Sequence, residues 1–331
     1  MNLSPTKIST FEDCGMKFKF RYINHYRAKL DSANLEFGKA IHTAIETFFL
    51  DGQLPAEIFQ EIWSGFENAE LNYSRYDNWE KLMESGTQLM ELFIKEEATK
   101  FIDCYAMEDW LKFRVDSQTN FWGRGDWIGR VRLPDDETVN AIVDFKTSSK
   151  KYDESQIDLN DQLTGYYHGG KKYPFEIDRV IYVVFVKTKT PYIQWVIGKR
   201  NSDQVNEFLQ KVKYYNDEIC RGNFYKKYGL GCQWCDYQAL CLGDEKRIKE
   251  ELIVQVDDIQ LVPGETHDLG TCLDVINPMD YVNTFIREKA IEGHFYFKVH
   301  KLYDFKRQEY LYELKVKELK RIYKNDLEEV V

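Results

Sequence analysis

The sequence has no long apolar run: the most hydrophobic stretch is Val180 to Val186, far shorter than the roughly 20 residues that cross a bilayer. The first residues, Met1 to Thr10, lack the apolar core and small-residue cleavage site of a secretory signal. No G-x4-G-K-[ST] phosphate-binding loop occurs, which excludes a motor of that type. We therefore expect a cytoplasmic protein with no membrane contact and no motor of its own.

Cysteine is scarce and odd in number, with seven in 331 residues. In a chain without a secretory signal this disfavours a disulfide framework. Three of the cysteines, Cys232, Cys235 and Cys241, lie within one short segment. Ligation of a metal ion or cluster is the competing interpretation.

The composition is that of a folded protein, with 43% hydrophobic, 15% aromatic and 30% charged residues. The chain has room for two modest domains. Its net charge of −10 argues by itself against a nucleic-acid partner. Sites for divalent cations also need carboxylates, however, so the motifs must decide between these interpretations.

Hydrophobic spacing predicts an α/β core. Helices are expected from Ser4-Pro5, over Gly38 to Leu50, and through a helical insertion at about 51–100. Strands are then expected at Trp110 to Val115, Trp127 to Leu133, Val139 to Phe145, Arg179 to Lys187 and Tyr192 to Ile197. Helical stretches are expected over Gln156 to Tyr173 and Ser202 to Arg221, and a segment that contains three cysteines follows over Gly229 to Gly243. We place the end of the catalytic domain, residues 1–243, at the end of this cysteine segment. A C-terminal extension, 244–331, shows no motif and no assignable fold.

Two short segments carry the strongest chemical signal: G-R-G-D ending at Asp126, and I-V-D-F-K with Asp144 and Lys146. Residues two apart on a strand project from the same face, so Asp144 and Lys146 should point into one site. Two carboxylates can hold a hard cation such as Mg or Mn, and a nearby lysine can orient an attacking water. The alternative is a glycine-rich turn beside a structural ion pair.

Three further side chains extend this pattern. Gln162 and Tyr166 are four residues apart on a predicted helix and share one face, where they could hold a phosphate or a base. His42 offers an imidazole that can ligate a metal. Taken singly, His42 is as well explained as a core histidine, and Gln162 and Tyr166 are as well explained as ordinary surface residues.

In their order, G-K-A-I-H42, G-R-G-D126, I-V-D144-F-K146 and Q162-L-T-G-Y166, these motifs resemble the RecB-type branch of the PD-(D/E)xK nucleases. The resemblance implies a restriction-endonuclease-like fold, a mixed sheet flanked by helices. It also implies that His42, Asp126, Asp144 and the Phe145 carbonyl bind Mg or Mn. Lys146 would assist the nucleophilic water, and Gln162 and Tyr166 would stabilise the site and contact DNA. The helical insertion departs from the pattern and leaves substrate path and polarity open.

The clustered cysteines suggest zinc, with Cys220 or Cys14 as fourth ligand, or an iron–sulfur cluster, or unmetallated thiols. Some members of the resembled family, among them the AddB subunit and the CRISPR-associated spacer-acquisition nuclease, hold a [4Fe–4S] cluster. By that resemblance its ligands here are Cys14, Cys232, Cys235 and Cys241, which would staple the ends of the catalytic domain together. We interpret Cys104, Cys220 and Cys272 as buried small hydrophobic residues.

The resulting expectation is a Mg- or Mn-dependent deoxyribonuclease, an exonuclease that processes DNA ends or single strands in recombination, repair or replication. A helicase, single-strand-binding or recombination protein would be a separate partner. One alternative is a catalytically silent DNA-binding or scaffold subunit of a nuclease complex. Another is a zinc-stapled interaction module with structural acids.

Basic side chains suggest two candidate surfaces for DNA. Basic and aromatic residues alternate from Lys17 to Tyr22, and Lys187, Lys189, Lys199 and Arg200 bracket a strand pair. Either group could line a DNA groove, with cations on phosphates and rings on bases. A solvated amphipathic surface explains them equally well.

Overall fold

The computed structural model describes residues 1–261 and 297–315, with side chains through residue 255 and again over 300–308. The chain divides into two units. The first contains Met1–Gly15 and Leu30–Tyr225, and the second contains Met16–Lys29 and the residues from Lys226 onward. This division differs from the expected domain boundary after residue 243, which stays a prediction.

The described strands are β1 (Asn2–Leu3), β2 (Tyr26–Ala28), β3 (Asp31–Ser32), β4 (Leu71–Asn72), β5 (Phe101–Arg114), β6 (Asn120–Arg132), β7 (Thr138–Ser148), β8 (Arg179–Val186), β9 (Tyr192–Gly198), β10 (Leu252–Leu261), β11 (Phe297–Asp304) and β12 (Glu309–Lys315).

The described α-helices are α1 (Pro5–Asp13), α2 (Gly15–Phe18), α3 (Ala33–Asp51), α4 (Pro55–Ser64), α5 (Trp79–Leu92), α6 (Ser155–Asp158), α7 (Asp161–Gly169), α8 (Ser202–Cys220), α9 (Gln238–Leu242) and α10 (Glu245–Glu251). Short π-helical turns cover Lys19–Ile23 and Phe93–Glu97, and 3-10 turns cover Ala98–Lys100, Gly170–Lys172 and Leu230–Trp234. In the described ranges, no helix is both long enough and apolar enough to span a membrane.

A mixed 6-stranded sheet organises the first unit, in the order β1-β6-β7-β8-β9, with β5 paired to β6. β6 runs antiparallel to both β5 and β7, whereas β7 and β8 are parallel. The parallel pair needs a crossover, and α6 and α7 supply it. The expected mixed sheet flanked by helices is therefore confirmed.

An aromatic core fills the space between this sheet and α3, α4 and α5. Phe37 and Phe59 meet edge-on, with ring centroids 5.4 Å apart, and Phe93 contacts Phe145 of β7 at 6.4 Å. The middle of α3 packs against the same cluster through Ile41, Ala44 and Ile45, each fully buried. This packing fixes α3, and with it His42, against the sheet.

The predicted elements largely form where expected. Ser4 accepts a hydrogen bond from the Lys7 amide and caps α1, as the Ser-Pro pair indicates. The helical stretch expected over about Gln156 to Tyr173 forms as α6, α7 and a 3-10 turn, because Asn160 divides it. Its side chain accepts a hydrogen bond from the Leu163 amide at 2.9 Å and starts α7 as a separate helix.

The second unit contains a 4-stranded sheet in the order β12-β11-β10-β2. Its strands pair antiparallel throughout. The side chain of Lys29 pairs with Asp304 at 2.8 Å inside this unit. The extension that the sequence left without a fold thus contributes strands to a sheet that also takes β2 from the N-terminal region.

Candidate active site

Strand β7 sorts its side chains as the two-residue spacing predicts. Val143 and Phe145 are buried in the core that contains α3. Asp144 and Lys146 point to the opposite face, where each contacts Gln162 of α7. The prediction that Asp144 and Lys146 share one face is confirmed.

Asp144, Lys146, Gln162 and Tyr166 form one polar network. The Lys146 Nζ lies 2.5 Å from the Asp144 Oδ2 and donates to the Gln162 Oε1 at 3.1 Å. The Gln162 Nε2 donates to the Asp144 Oδ1 at 2.7 Å and to the Tyr166 hydroxyl at 2.8 Å. The Gln162 side chain therefore holds the Asp144 carboxylate through its amide nitrogen and the Lys146 ammonium through its amide oxygen.

His42 and Asp126 lie at the other side of the Phe145 peptide. The His42 Nε2 contacts the Phe145 carbonyl oxygen at 2.7 Å, and its Nδ1 lies 3.3 Å from the Asp126 Oδ2. The same Asp126 oxygen accepts a hydrogen bond from the Phe145 amide at 2.7 Å. The structure thus brings together all the motif residues that the sequence singled out for metal binding and hydrolysis.

Glu108 is a member of this group that the sequence analysis missed. It lies on β5, where the neighbouring pairs Met107–Trp127 and Asp109–Gly125 place it opposite Asp126. Its Oε1 is 4.0 Å from the His42 Nδ1, and its Oε2 pairs with the Arg124 Nε at 2.9 Å. No local pattern marks this residue, because only the pairing of two strands brings it to the site.

The backbone at Glu108 is unusual, with φ of 50°. A non-glycine residue in this left-handed region is uncommon and concentrates at functional sites. Arg124 holds the residue there, since its guanidinium also donates to the Glu108 carbonyl at 2.7 Å. The two contacts with Arg124 therefore direct the Glu108 side chain towards His42.

Glycines let α7 approach β6 closely. A Cβ on Gly123 would lie 2.5 Å from the Tyr166 Cε1, and one on Gly165 would lie 2.4 Å from the Phe121 Cζ. Both distances are far below a normal contact, so a side chain at either position would displace the helix. The glycines of the G-R-G-D and Q-L-T-G-Y motifs therefore set the position of Tyr166 in the network.

The carboxylates repel each other in this setting. Burial and the nearby charge of Asp144 raise the pKa of Asp126 to about 7. Burial alone would lower the pKa of His42, but Asp126, Glu108 and Asp144 raise it to about 9. Burial likewise opposes the charge on Lys146, and Asp144 and Asp126 overcome it and raise the pKa of the ammonium. The cluster attracts positive charge.

The donor set fits a hard divalent cation. Ligand atoms of His42, Glu108 and Asp126 all lie within 4.8 Å of one another. Carboxylate and carbonyl oxygens are the ligands that Mg and Mn prefer. The Phe145 carbonyl oxygen lies 2.7 Å from the His42 Nε2, and the charge of Asp144 is close enough to raise the pKa of both His42 and Asp126. Asp144 is 1% exposed, and its buried Oδ2 pairs with the Lys146 ammonium at 2.5 Å. A cation would relieve the carboxylate repulsion.

The cysteines are arranged differently from these ligands. Cys14, Cys232, Cys235 and Cys241 are half-buried. Within the part of the chain that the structure describes, no three thiols approach one another as the ligand atoms of His42, Glu108 and Asp126 do. The interpretation of Cys104 and Cys220 as buried hydrophobic residues is wrong, since both are exposed; Cys272 lies outside the described residues.

The prediction that the basic residues around the strand pair β8 and β9 line a DNA groove is also partly wrong. Arg200 is only 8% exposed. Its guanidinium donates to the Thr164 Oγ1 at 2.8 Å and to the Asn160 carbonyl at 3.2 Å. Arg200 therefore braces the start of α7 instead of facing a ligand. Lys187 is also largely buried, with its Nζ 4.8 Å from the Phe37 ring centroid.

Comparison with known proteins places this site in a family. The chain is similar to the "Putative exonuclease" of Eubacterium rectale, a solved structure with 12% identity and a TM-score of 0.42 that covers 66% of this chain and 80% of that one. A search of curated proteins found no match. The family model of the PD-(D/E)XK nuclease superfamily matches residues 2–242. This range contains every motif residue of the site, and the chain belongs to the PD-(D/E)XK nuclease superfamily.

Proposed function

We propose that the protein is a Mg- or Mn-dependent deoxyribonuclease. The observation that carries the proposal is the convergence of His42, Asp126, Asp144 and Lys146 on one place beside the Phe145 carbonyl. An acidic cluster with one lysine suits phosphodiester hydrolysis, since a cation and an amine can together offset the charge that develops on phosphate.

The cation would be held by His42, Asp126, Asp144 and the Phe145 carbonyl oxygen, with Glu108 as a further donor. When bound, it would lower the pKa of a water molecule and polarise the scissile phosphate. The raised pKa of Lys146 keeps its ammonium charged. The amine can thereby orient the attacking water and stabilise negative charge on the phosphate.

Gln162 and Tyr166 would position the reacting groups. Gln162 holds the carboxylate of Asp144 through its Nε2 and the ammonium of Lys146 through its Oε1. Tyr166, which is 4% exposed, accepts a hydrogen bond from Gln162. Such support holds an acid and an amine in one geometry against thermal motion.

We further propose that the enzyme is an exonuclease acting on DNA ends or single strands during recombination, repair or replication. The family resemblance of the four motifs supports this assignment. The chain has no G-x4-G-K-[ST] loop, so DNA unwinding would fall to a separate helicase. Single-strand-binding or recombination proteins would be further partners.

The hydrolysis proposal is tested with end-labelled single- and double-stranded DNA in Mg or Mn. Cleavage should vanish in EDTA and in the Asp144→Ala and Asp144→Asn variants, while DNA binding persists. Asp135→Asn, in an exposed turn between β6 and β7, is a matched control and should cut like the wild type. Undiminished cutting by Asp144→Asn would refute the site, and DNA binding without any cutting by the wild type would indicate a silent subunit.

A second proposal is that Cys14, Cys232, Cys235 and Cys241 bind one [4Fe–4S] cluster that stabilises the fold. Four thiolates are the usual ligand set of this cluster. Cys232 and Cys235 lie in or beside the turn Leu230–Trp234, and Cys241 lies in α9. The spacing of this trio and the family resemblance support the cluster, and no redox step is required of it.

Iron analysis tests the cluster. Protein purified without oxygen should be brown and contain about four irons and four sulfides per chain. Each Ala variant of the four ligands should be pale, whereas Cys104→Ala, Cys220→Ala and Cys272→Ala should stay brown. Colourless wild-type protein with one zinc, or a Cys14→Ala variant with full iron, would contradict the assignment.

A further inference from the structure

Two tryptophans and a lysine form an exposed patch on the β5–β6 pair, which we name the tryptophan platform: Trp110, Lys112 and Trp122. Trp110 is 42% exposed and Trp122 is 38% exposed. The Lys112 Nζ lies 4.5 Å from the Trp110 ring centroid and 4.3 Å from that of Trp122. The ring centroids are 6.2 Å apart, with their planes at 70°. The lysine thus contacts both of two rings that meet edge-on at the surface.

Strand register places the platform on one face of the sheet. Trp110 pairs with Arg124 across the two strands, and Lys112 pairs with Trp122. Gly123, which lies between Trp122 and Arg124, faces Tyr166 of α7. Because neighbouring residues of a strand point to opposite faces, Trp122 and Arg124 lie on the face away from α7.

The same face continues to Glu108 and His42 of the candidate active site, whereas Asp144 and Lys146 contact α7. Arg124 pairs with Glu108 at 2.9 Å, and Glu108 approaches His42 at 4.0 Å. At about 3.3 Å per residue, Trp122 lies roughly 13 Å along the strand from Asp126. This is a distance of about four nucleotides at the 3.4 Å spacing of one strand of a duplex, and fewer in an extended strand.

Large rings at the surface need an explanation here. Trp63 and Trp127 are fully buried, and a tryptophan that is left in water forfeits much of its hydrophobic stabilisation. A structural cation–π contact needs only one ring, as in the exposed pair Arg75 and Tyr76 at 5.5 Å. Two rings around one cation, on the strands that carry Glu108 and Asp126, would instead suit base stacking beside a phosphate contact.

We propose that the tryptophan platform binds single-stranded DNA and guides it to the candidate active site, an inference that rests on the proposed nuclease function. Trp110 and Trp122 would stack on successive bases, and Lys112 would contact a phosphate. Bases within a duplex stack on each other and do not offer their faces to a protein. The platform therefore selects an unpaired strand.

Binding of short oligonucleotides tests this role apart from cleavage. In EDTA, so that no strand is cut, fluorescence anisotropy would measure the Kd of the wild type for dT20, for a 20-base-pair duplex and for an abasic strand of equal length. Trp110→Ala and Trp122→Ala should each weaken dT20 binding about 10-fold, within the range found for base stacking. Both should bind the abasic strand as the wild type does.

Further variants separate stacking from charge and from folding. Trp110→Phe and Trp122→Phe retain a ring and should recover part of the affinity. Lys112→Gln should reduce the slope of log K against log salt by about 0.7, as expected for one lost phosphate contact with a single strand. Tyr76→Ala, which removes a ring that is 74% exposed outside the platform, should bind dT20 with unchanged Kd.

The outcomes separate this inference from the proposed function. If the wild type cuts DNA and both Trp→Ala variants bind dT20 unchanged, the platform is refuted while the nuclease stands. Equal losses on the abasic strand would also refute stacking, and tighter wild-type binding of the duplex than of dT20 would refute the selection of an unpaired strand. A wild type that neither binds nor cuts any nucleic acid would refute both.

Discussion

The candidate active site and the cysteine segment are both short-motif regions, but they gather their ligands by different means. Hydrogen-bonded strands β5, β6 and β7 place Glu108, Asp126 and Asp144 side by side. Cys232 lies instead in a 3-10 turn, Cys235 directly follows that turn, and Cys241 lies in a 5-residue helix. A ladder of backbone hydrogen bonds fixes donors in advance, whereas short turns depend on what they bind.

This difference gives the two regions different failure modes. Losing a side chain from the strand-built site should remove chemistry and leave the fold, because the ladder does not depend on it. Losing a thiol should remove the proposed cluster and, with it, stability. Measurements of cleavage rate and of thermal stability therefore distinguish the two regions.

After the loss of cleavage expected for the Asp144 variants, the largest effect is expected from Lys146. Lys146→Ala should reduce the cleavage rate by about 10²- to 10⁴-fold, the usual contribution of a positioned group to proton transfer. Lys146→Met, which keeps the length of the side chain, should be equally slow. Single-turnover cleavage and a thermal melt measure the two quantities together.

Lys150→Ala is the matched control, since Lys150 is exposed just beyond the end of β7. It should retain the wild-type rate. If Lys146→Met kept most of its rate, Lys146 would be only the ion-pair partner of Asp144. If it lost rate only in proportion to unfolded protein, the lysine would be structural.

Removal of a proposed cluster ligand should act through stability. Cys235→Ala should lose its iron and lower the Tm by about 5–10 °C, which corresponds to about 2–3 kcal/mol for a domain of this size. Cleavage per folded molecule should stay near that of the wild type. Calorimetry beside iron analysis measures both.

The exposed Cys220 provides the comparison for this experiment. Cys220→Ala should keep its iron and its Tm. A Cys235→Ala variant that melts like the wild type would remove the distinction between the two regions.

Glu108 tests whether the site extends beyond the motif residues. Glu108→Gln preserves the shape of the side chain and removes a charge near His42, so affinity for Mn should fall about 10- to 100-fold. The rate at saturating Mn should change less than the affinity. A titration of cleavage rate against Mn concentration separates the two, and an unchanged half-saturation point would exclude Glu108 from the metal site.

The smallest effect is expected from Tyr166. Tyr166→Phe keeps the ring packed against Gly123 and removes the hydroxyl that accepts from Gln162. One hydrogen bond contributes about 0.5–1.5 kcal/mol, so the rate should fall roughly 2- to 10-fold with the Tm unchanged. Tyr166→Ala, which also removes the ring, should lose more rate. If Tyr166→Phe lost stability and no rate, the hydroxyl would serve only the fold.

The sequence predicted what local spacing determines. The shared face of Asp144 and Lys146 follows from strand alternation, and the facing pair Gln162 and Tyr166 follows from helical spacing. Glu108 could not be found this way, because it reaches the site through pairing with β6. The burial of Arg200 could not be predicted either, because its hydrogen-bond partners lie about forty residues earlier in the chain.

Anomalous diffraction from crystals soaked in MnCl2 tests the central claim most directly, because it locates the cation without relying on activity. The account predicts a manganese peak bonded to the Asp126 and Asp144 carboxylates, the His42 imidazole and the Phe145 carbonyl oxygen, and its loss in Asp144→Asn crystals. Manganese bound elsewhere, with none at these residues, would contradict the account.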